Sequence, residues 1–506
     1  MATLPEKLAE SLEQLKKLQE QGKVVIKSAD LTKTHLSRLV KNGFLQEVMR
    51  GWYILSRPDL STGDSTSWYA SYWVFVAEYA TQRFKNDWSL SPEQSLSIHG
   101  GDTSVPRQLI IRSSIRSNGV LELIHKTSLV YYNAKLASPI ETVNGLNLYS
   151  LPEALIECRP DFFQTDSVIA RTCLSLLQDA SDILRILLDR GHTTKAGRLA
   201  GAFRNIGNTA ATDQIISTMK SVGHDVREED PFSESMPIPY QRETSPYVAR
   251  IKFMWNSMRE VVINNFPKTD HKHTDIETCM QHIEEIYRDD AYNSLSIEGY
   301  RVTNELIERV RSGSWNPDAD NSDKQQKDAM AARGYYQCFE AVKSSIRTIL
   351  GGDNPGTVAS KDHRIWYQEL FAPSVAVGLM KAGDLAGYRN EQVYINNSMH
   401  TPLNPQAVRD VMPVFFELLE SEPDSRVRIV LGHFVFVYIH PYKDGNGRIA
   451  RFLMNTMLIA GGYQWVIVPL ERRREYMSAL ETASVDGGIS DFCLFIASLL
   501  NESNSK

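Results

Sequence analysis

The chain has 506 residues, with 55 Lys and Arg against 61 Asp and Glu for a formal charge of −6. That length admits two or three domains with their own cores, and the balance excludes a chain that is basic throughout. Five cysteines (Cys158, Cys173, Cys279, Cys338, Cys493) are scattered without C-x-x-C spacing, which argues against a disulfide framework or a thiolate zinc site.

The opening MATLPEKLAE has no basic stretch followed by an apolar one, so no secretory signal is expected. No apolar run approaches a membrane span, and Phe434 to Ile439 is among the longest. A reducing cytoplasm with no membrane partner is the simplest home.

Residues 1–57 hold ten Lys/Arg against six Asp/Glu, a local +4 that leaves −10 for the rest and hints at a nucleic-acid-facing N-terminus. Leu4 to Gln19 has helical apolar spacing, and Val24–Ile26 is short and β-branched. Leu31 to Val40 predicts a second helix ended by Asn42-Gly43, and Phe44–Val48 with Trp52–Leu55 predict a hairpin around Met49-Arg50-Gly51. This order is that of a winged helix-turn-helix. Thr32, Lys33, Thr34, His35, Ser37 and Arg38 are expected to face a DNA groove, with Arg50 at the wing tip. ADLTKTHLSRLVKNGFLQEVMRGWYIL resembles the winged helix of AbiEi-like type IV antitoxin regulators. That resemblance continues through SLSIHGG and VNGLNLYSLPEALIE to about residue 220.

Residues 58–225 read as α/β and then helical, with no catalytic constellation. The Pro-, Ser- and acid-rich stretch 226–247 reads as a linker. His271 and His273 lack nearby partner ligands and read as a solvated loop.

The chemistry concentrates in 427–460. Val427, Val430, Leu431, Phe434 and Tyr438 predict a buried helix leading into His440. Pro441 and Asp444-Gly445-Asn446-Gly447 break it, and a new helix follows with Ile449, Phe452, Leu453 and Met457 inward. The loop thus opens a helix whose free N–H groups favour an anion, and the glycines allow close backbone approach. Arg448 and Arg451 suit phosphate oxygens, and Asp444 offers a hard oxygen for Mg²⁺. His440 suits proton transfer near neutral pH. Together these point to phosphoryl or nucleotidyl transfer.

HPYKDGNGRIAR at 440–451 resembles the Fic family motif H-x-F-x-[DE]-G-N-G-R-x-x-R, with Tyr442 where Phe is usual. The Tyr442 side chain is expected to pack inward, where its hydroxyl needs a partner. The resemblance extends over roughly 250–500, including GYR at 387–389 and the region of Tyr476. It implies an enzyme that moves AMP from ATP, with Mg²⁺, to a Ser, Thr or Tyr hydroxyl of a protein, its own chain among the candidates. His440 would be the base, Asp444 the metal ligand, and Gly445, Asn446 and Gly447 the anion hole. Arg448 would hold the α/β region and Arg451 the γ-phosphate. The phosphate-transferring Doc branch has Lys at the position of Gly447, so this form implies AMP transfer.

Ser294-Leu295-Ser296-Ile297-Glu298-Gly299 fits the family's inhibitory motif [ST]-x-x-x-E-[GN]. It implies an inhibitory helix at about 280–299, with Ser294 and Glu298 as its motif residues, whose Glu298 pairs with Arg451 and leaves ATP unproductively bound. In some members the same glutamate serves AMP removal. Gln392-Val393-Tyr394-Ile395 corresponds to the family's flap hairpin, which implies target docking on Val393, Tyr394 and Ile395 as an added strand.

The expected architecture is multidomain and mainly α. A winged helix (1–57) precedes an α/β and helical regulator-like region (58–225), a linker (226–247) and an all-α Fic domain (248–502) with a small β-hairpin flap. The alternative is a DNA-binding regulator or antitoxin-like protein whose Fic half senses nucleotide or acts as a self-controlled toxin. Another donor, UTP or CDP-choline, is a third option.

Overall fold

The computed structural model describes residues 3–58, 64–115, 118–136, 140–234, 242–269, 275–314 and 323–503. The chain divides into two compact units: Met1–Arg250 with Tyr394–Thr401, and Ile251–Val393 with Pro402–Lys506. It is mainly helical, and every strand among the described residues belongs to the first unit.

Helix α1 (Leu4–Glu20) opens on a capping box in which Thr3 and Glu6 satisfy each other's backbone N–H. Strand β1 (Val25–Lys27), helix α2 (Lys33–Lys41) and strands β2 (Leu45–Met49) and β3 (Trp52–Leu55) follow, with antiparallel order β1-β3-β2. Leu15, Ile26, Leu39 and Leu45 form the small core between them. Two residues expected to face a groove do otherwise. His35 Nδ1 lies 3.0 Å from Ser11 Oγ, and Arg38 NH1 donates to Ser11 Oγ at 2.8 Å and to Lys7 O. His35 and Arg38 share the stripe of buried Leu39 at helical spacing, so they brace α2 on α1. Thr32, Lys33, Thr34, Ser37 and Arg50 are exposed.

Beyond α3 (Thr66–Phe84) and α4 (Pro92–His99), a mixed sheet has order β4-β5-β7-β6, with β4 Ser89–Leu90, β5 Gln108–Ser113, β6 Gly119–Glu122 and β7 Ser128–Asn133. Its β5–β7 pair is parallel. A separate hairpin, β8 (Ile140–Val143) and β9 (Leu146–Tyr149), completes the strands. Trp52, Trp68, Phe75, Trp88 and Ile111 centre this core. Six helices follow: α5 (Leu151–Glu157), α6 (Phe162–Thr165), α7 (Ser167–Leu176), α8 (Ser181–Arg190), α9 (Thr193–Asn205) and α10 (Thr209–Ser221). Residues 226–234 of the expected linker lie packed on α9. Val226 and Phe232 are buried, and Glu229 N–H donates to Gly197 O at 3.1 Å. A Cβ on Gly197 would sit 1.9 Å from Arg227 O, so only glycine lets the chain cross there.

The second unit is all-α among the described residues. Helix α11 (Pro246–Asn265) carries the division between the units. It is followed by α12 (Ile276–Ile297), α13 (Asn304–Arg311), α14 (Asp323–Leu350), α15 (Pro355–Ala376), α16 (Pro405–Ser421), α17 (Ser425–Ile439), α18 (Asn446–Ala460), α19 (Arg473–Glu481) and α20 (Ser490–Ser503). Helix α14 packs along α15, and α17 along α18.

The β-hairpin flap expected around Val393, Tyr394 and Ile395 is not formed: no strand lies between α15 and α16. Pro402, on the returning side, has no N–H for a ladder, and Gln392 Nε2 donates to its carbonyl at 2.8 Å instead. Asn397 turns left-handed (φ 60°) and accepts from Ser65 N–H at 3.1 Å within the first unit. His271 and His273 lie outside the described residues. Among the described residues, no helix is long and apolar enough to cross a membrane.

Candidate active site

Packing fixes the end of α17, where Val427, Val430, Leu431, Phe434 and Tyr438 are all buried. The helix stops at His440, whose left-handed backbone (φ 55°, ψ 61°) costs a non-glycine residue roughly 1–2 kcal/mol. Arg389 holds it there. Its Nε donates to His440 O at 2.8 Å and its backbone N–H to Pro441 O at 3.0 Å. The same guanidinium donates to Glu391 O at 3.0 Å and to Leu403 O.

The His440 imidazole lies with Nδ1 3.2 Å from Val437 O. A carbonyl only accepts, so Nδ1 carries the hydrogen and Nε2 keeps its lone pair. Burial lowers the His440 pKa to about 4; the Arg389 charge adds to this, and Val437 O, Glu298 and Asp444 oppose it. The ring is therefore neutral, and able to accept a proton, at physiological pH.

Asn446 closes the loop: its Oδ1 accepts Tyr442 N–H and its Nδ2 donates to Tyr442 O, both at 2.8 Å. Its side chain is thus a brace, and only its backbone is left to meet an anion. Tyr442 packs inward, stacked on Tyr367 with centroids 3.8 Å apart, and its hydroxyl has no hydrogen-bond partner among the described residues. Gly445 takes φ 78°, and a Cβ on it would lie 2.7 Å from the Phe371 ring. Ile449 N–H donates to Gly445 O at 3.0 Å, so Asn446, Gly447 and Arg448 present the helix's unpaired first-turn N–H groups.

Arg448 and Arg451 are 1% and 4% exposed. The Arg448 guanidinium lies 5.1 and 5.0 Å from the Tyr300 and Phe371 ring centroids, with NH2 3.4 Å from Asp444 Oδ1. Arg451 NH2 donates to Glu298 Oε1 at 2.7 Å and to Ser294 O at 3.1 Å, and its Nε donates to Ser294 Oγ at 2.9 Å. Arg451 NH1 and Arg448 Nε have no hydrogen-bond partner among the described residues. Glu298 Oε1 would lie 2.6 Å from a Cβ on Gly447, which places the carboxylate over the first turn of α18. Burial alone would raise the Glu298 pKa; Arg451 and Arg448 outweigh it and hold the group ionised.

Further contacts seat α12. Asn293 Oδ1 accepts Leu470 N–H at 2.8 Å, Arg473 Nε donates to Ile297 O at 2.8 Å, and Asp290 accepts from Tyr335 at 2.7 Å and Trp465 at 3.2 Å. On α17, His433 donates from Nδ1 to Ala450 O at 3.0 Å, and its Nε2 accepts from Tyr476 OH at 2.8 Å. Burial and the nearby Arg451 lower its pKa to about 3. Asp444 is 60% exposed and accepts Gly445 N–H through Oδ1 at 2.6 Å. Among the described residues no cluster of three His, Cys, Asp or Glu stands ready for a metal. The lone exposed carboxylate fits Mg²⁺ only where phosphates supply further oxygens.

Sequence reasoning passed over Tyr300, Phe371, His433 and Asp290. A histidine inside an apolar helix was the one available signal, for His433. Val393 is half-buried in the second unit, while Tyr394 and Ile395 belong to the first.

Residues 361–458 match the Fic/DOC family. This stretch is a Fic domain. Relatives named protein adenylyltransferase Fic, from Drosophila virilis and Drosophila melanogaster, are each 40% identical over 114 residues, 22% of this chain and 23% of the relative. The chain therefore covers less than a quarter of the length of these curated relatives. The structure of Fic-1 (aa134 - 508) from C. elegans aligns over 67% of this chain and 97% of its own, at 18% identity and a TM-score of 0.38. The Fic domain holds His440, its loop, both arginines and Arg389. Ser294, Glu298 and Tyr300 reach the site from outside the matched residues.

Proposed function

We infer that this chain is a protein adenylyltransferase. It moves AMP from ATP to a Ser, Thr or Tyr hydroxyl of a protein, its own chain among the candidates, in the cytoplasm, where its five free cysteines stay reduced. One observation carries the reading. A histidine with a free Nε2 lone pair stands at the mouth of a helix start that favours an anion and bears two buried arginines. The acceptor hydroxyl gives its proton to His440 Nε2 as its oxygen bonds the α-phosphorus; the bond to the β-phosphate oxygen breaks and pyrophosphate leaves.

The N–H groups of Gly445, Asn446 and Gly447 with Arg448 hold the phosphates nearer the reacting centre, and Arg451 the γ-phosphate. Asp444 would hold Mg²⁺ together with those phosphates, and the ion would neutralise charge on the leaving group. The relatives' names and Gly447, in place of the Doc branch's Lys, support AMP transfer over phosphate transfer.

Glu298 and Ser294 act as a brake on the helix 280–299, since Arg451 bonded to them is not free for the γ-phosphate. In some members of the family the same glutamate serves AMP removal, which would make this enzyme bifunctional. In domain terms, a winged helix (1–57) and a regulator-like region (58–225) precede, through 226–247, the catalytic part (248–502).

The test is labelling by ATP carrying ³²P on the α-phosphate. Glu298→Gly is expected to label at least about tenfold more than wild type, and adding His440→Ala to remove about 10²-fold or more of that label. Equal labelling by wild type and Glu298→Gly would sink the brake. No label with intact nucleotide binding would move the reading to another donor such as UTP or CDP-choline, to a missing acceptor, or to DNA-directed regulation. A second reading, DNA-directed regulation, rests on exposed Lys33, Thr34, Ser37 and Arg50. Salt-sensitive, sequence-specific DNA binding without label would favour it.

A further inference from the structure

A cavity of about 960 Å³ lies in the second unit between α15, residues 381–393 and α16, with Lys443 of the catalytic loop on its edge. Its charge is lopsided. Lys443 is paired with Asp384 at 3.1 Å. Arg364, Lys381, Arg389 and Arg409 also line it, and none has a carboxylate within ion-pair distance among the described residues; Glu391 is the remaining acid. Arg409 donates only to the carbonyls of Arg389, at 3.3 Å, and Pro405, at 2.6 Å. The Arg364 guanidinium lies 5.1 Å from the Tyr388 ring centroid. Four cations facing one carboxylate in a concave space set up a focused positive field.

The kind of anion follows from where the donors are. Arg389 is the buried cation, and three of its five N–H groups already go to backbone carbonyls, so the floor keeps only two for an anion while the other cations stand at the rim. Arg364, Lys381 and Arg409 are exposed around the mouth. Such a spread suits carboxylates spaced along a chain, with Tyr388, Phe416 and Val393 as apolar wall for the stem between them. The cavity adjoins the catalytic loop, since Lys443 lines it and Arg389 in its floor donates to the His440 carbonyl.

We propose that this cavity receives an acidic segment of the protein acceptor, so that hydroxyls flanked by Asp and Glu are selected. The proposal rests on the adenylyltransferase reading for its purpose, and on charge and placement for its ligand.

The experiment uses the full chain and two fluorescein-labelled twelve-residue peptides. One has a central Ser, Thr and Tyr among Asp and Glu; the other carries Asn and Gln in their place. Anisotropy is expected to show the acidic peptide binding about tenfold tighter at 50 mM salt, with the preference shrinking at 200 mM. Arg364→Glu with Lys381→Glu is expected to erase that preference and to leave ATP binding unchanged. Arg364→Gln with Lys381→Gln, which introduces no new repulsion, is expected to fall between.

Equal binding of the two peptides, or no response to either pair of substitutions, overturns the proposal. Displacement of the acidic peptide by millimolar inorganic phosphate, undone by the same substitutions, also overturns it by making the cavity a small-anion site. If no variant labels with ATP while the charge preference and its loss persist, the transfer reading falls and the docking assignment stands.

Discussion

Helices α2 and α18 both carry cations, Lys33 and Arg38 in one, Arg448 and Arg451 in the other, but they handle them differently. On α18 the two guanidiniums are 1% and 4% exposed, set against two aromatic rings, two carboxylates and a serine. On α2, Lys33 stands in solvent, and Arg38 is tied to α1 through Ser11 and Lys7. Water satisfies an exposed cation in almost any surroundings. A buried one must be given its partners by the fold, and removing one leaves an uncompensated charge. Function read from α18 is therefore tightly constrained by geometry, and function read from α2 is constrained only by charge.

Acid should separate the two regions most. His363 and His440 have pKa values lowered to about 4, and His433 to about 3, all chiefly through burial. In the unfolded chain they titrate near the ordinary 6.5. Their stabilisation is thus complete above pH 6.5 and is lost as pH falls toward 4, by about 3 kcal/mol for each fully buried ring as an upper figure. Asp290, raised to about 6 by burial, works the other way and offsets about one ring's share. In residues 1–57, Asp30 is held below the ordinary carboxylate range because Lys23 and Lys27 outweigh its burial. Its stabilisation stays until pH falls below about 4. Hydrogen exchange across pH 7 to 4 is expected to show α17 and α18 losing protection while α1 and α2 keep theirs; the reverse order would break the comparison.

Arg451→Ala should cost about 3 kcal/mol of local stability in α12 and α18, since it strands Glu298 and Ser294. Lys33→Ala should stay within about 0.5 kcal/mol in α2. The same exchange measurement reads both, and similar effects would erase the distinction between buried and exposed cations. The smallest effect concerns the buried Tyr442 hydroxyl, which lacks a partner. Tyr442→Phe is expected to gain about 1 kcal/mol, seen as a higher midpoint of thermal unfolding. A loss would mean that the hydroxyl contributes more than the cost of its desolvation.

Much of the site was legible because its chemistry is local. His440, Asp444, the two glycines and both arginines fall within twelve residues, so helix periodicity and loop-breaking residues alone set a histidine, an N–H nest and two guanidiniums at one junction. Asn404 caps α16 by accepting Ala407 N–H at 2.9 Å, with Pro405 next in the chain, another device that needs only neighbouring residues. The flap failed as a hairpin because an alternating run specifies a strand only when another backbone pairs with it, and Pro402 with the Asn397 turn removes that partner.

By itself, the sequence determined which side chains crowd around the 440–451 loop and which faces of α17 and α18 turn inward. Only the tertiary structure decided what those groups meet. It joins Glu298 to Arg451 across 153 residues, ties Arg389 to the His440 carbonyl across 51, and turns His35 and Arg38 onto α1. Spacing along a helix sets a direction for each side chain, but the partner in that direction comes from another part of the chain and is fixed by packing.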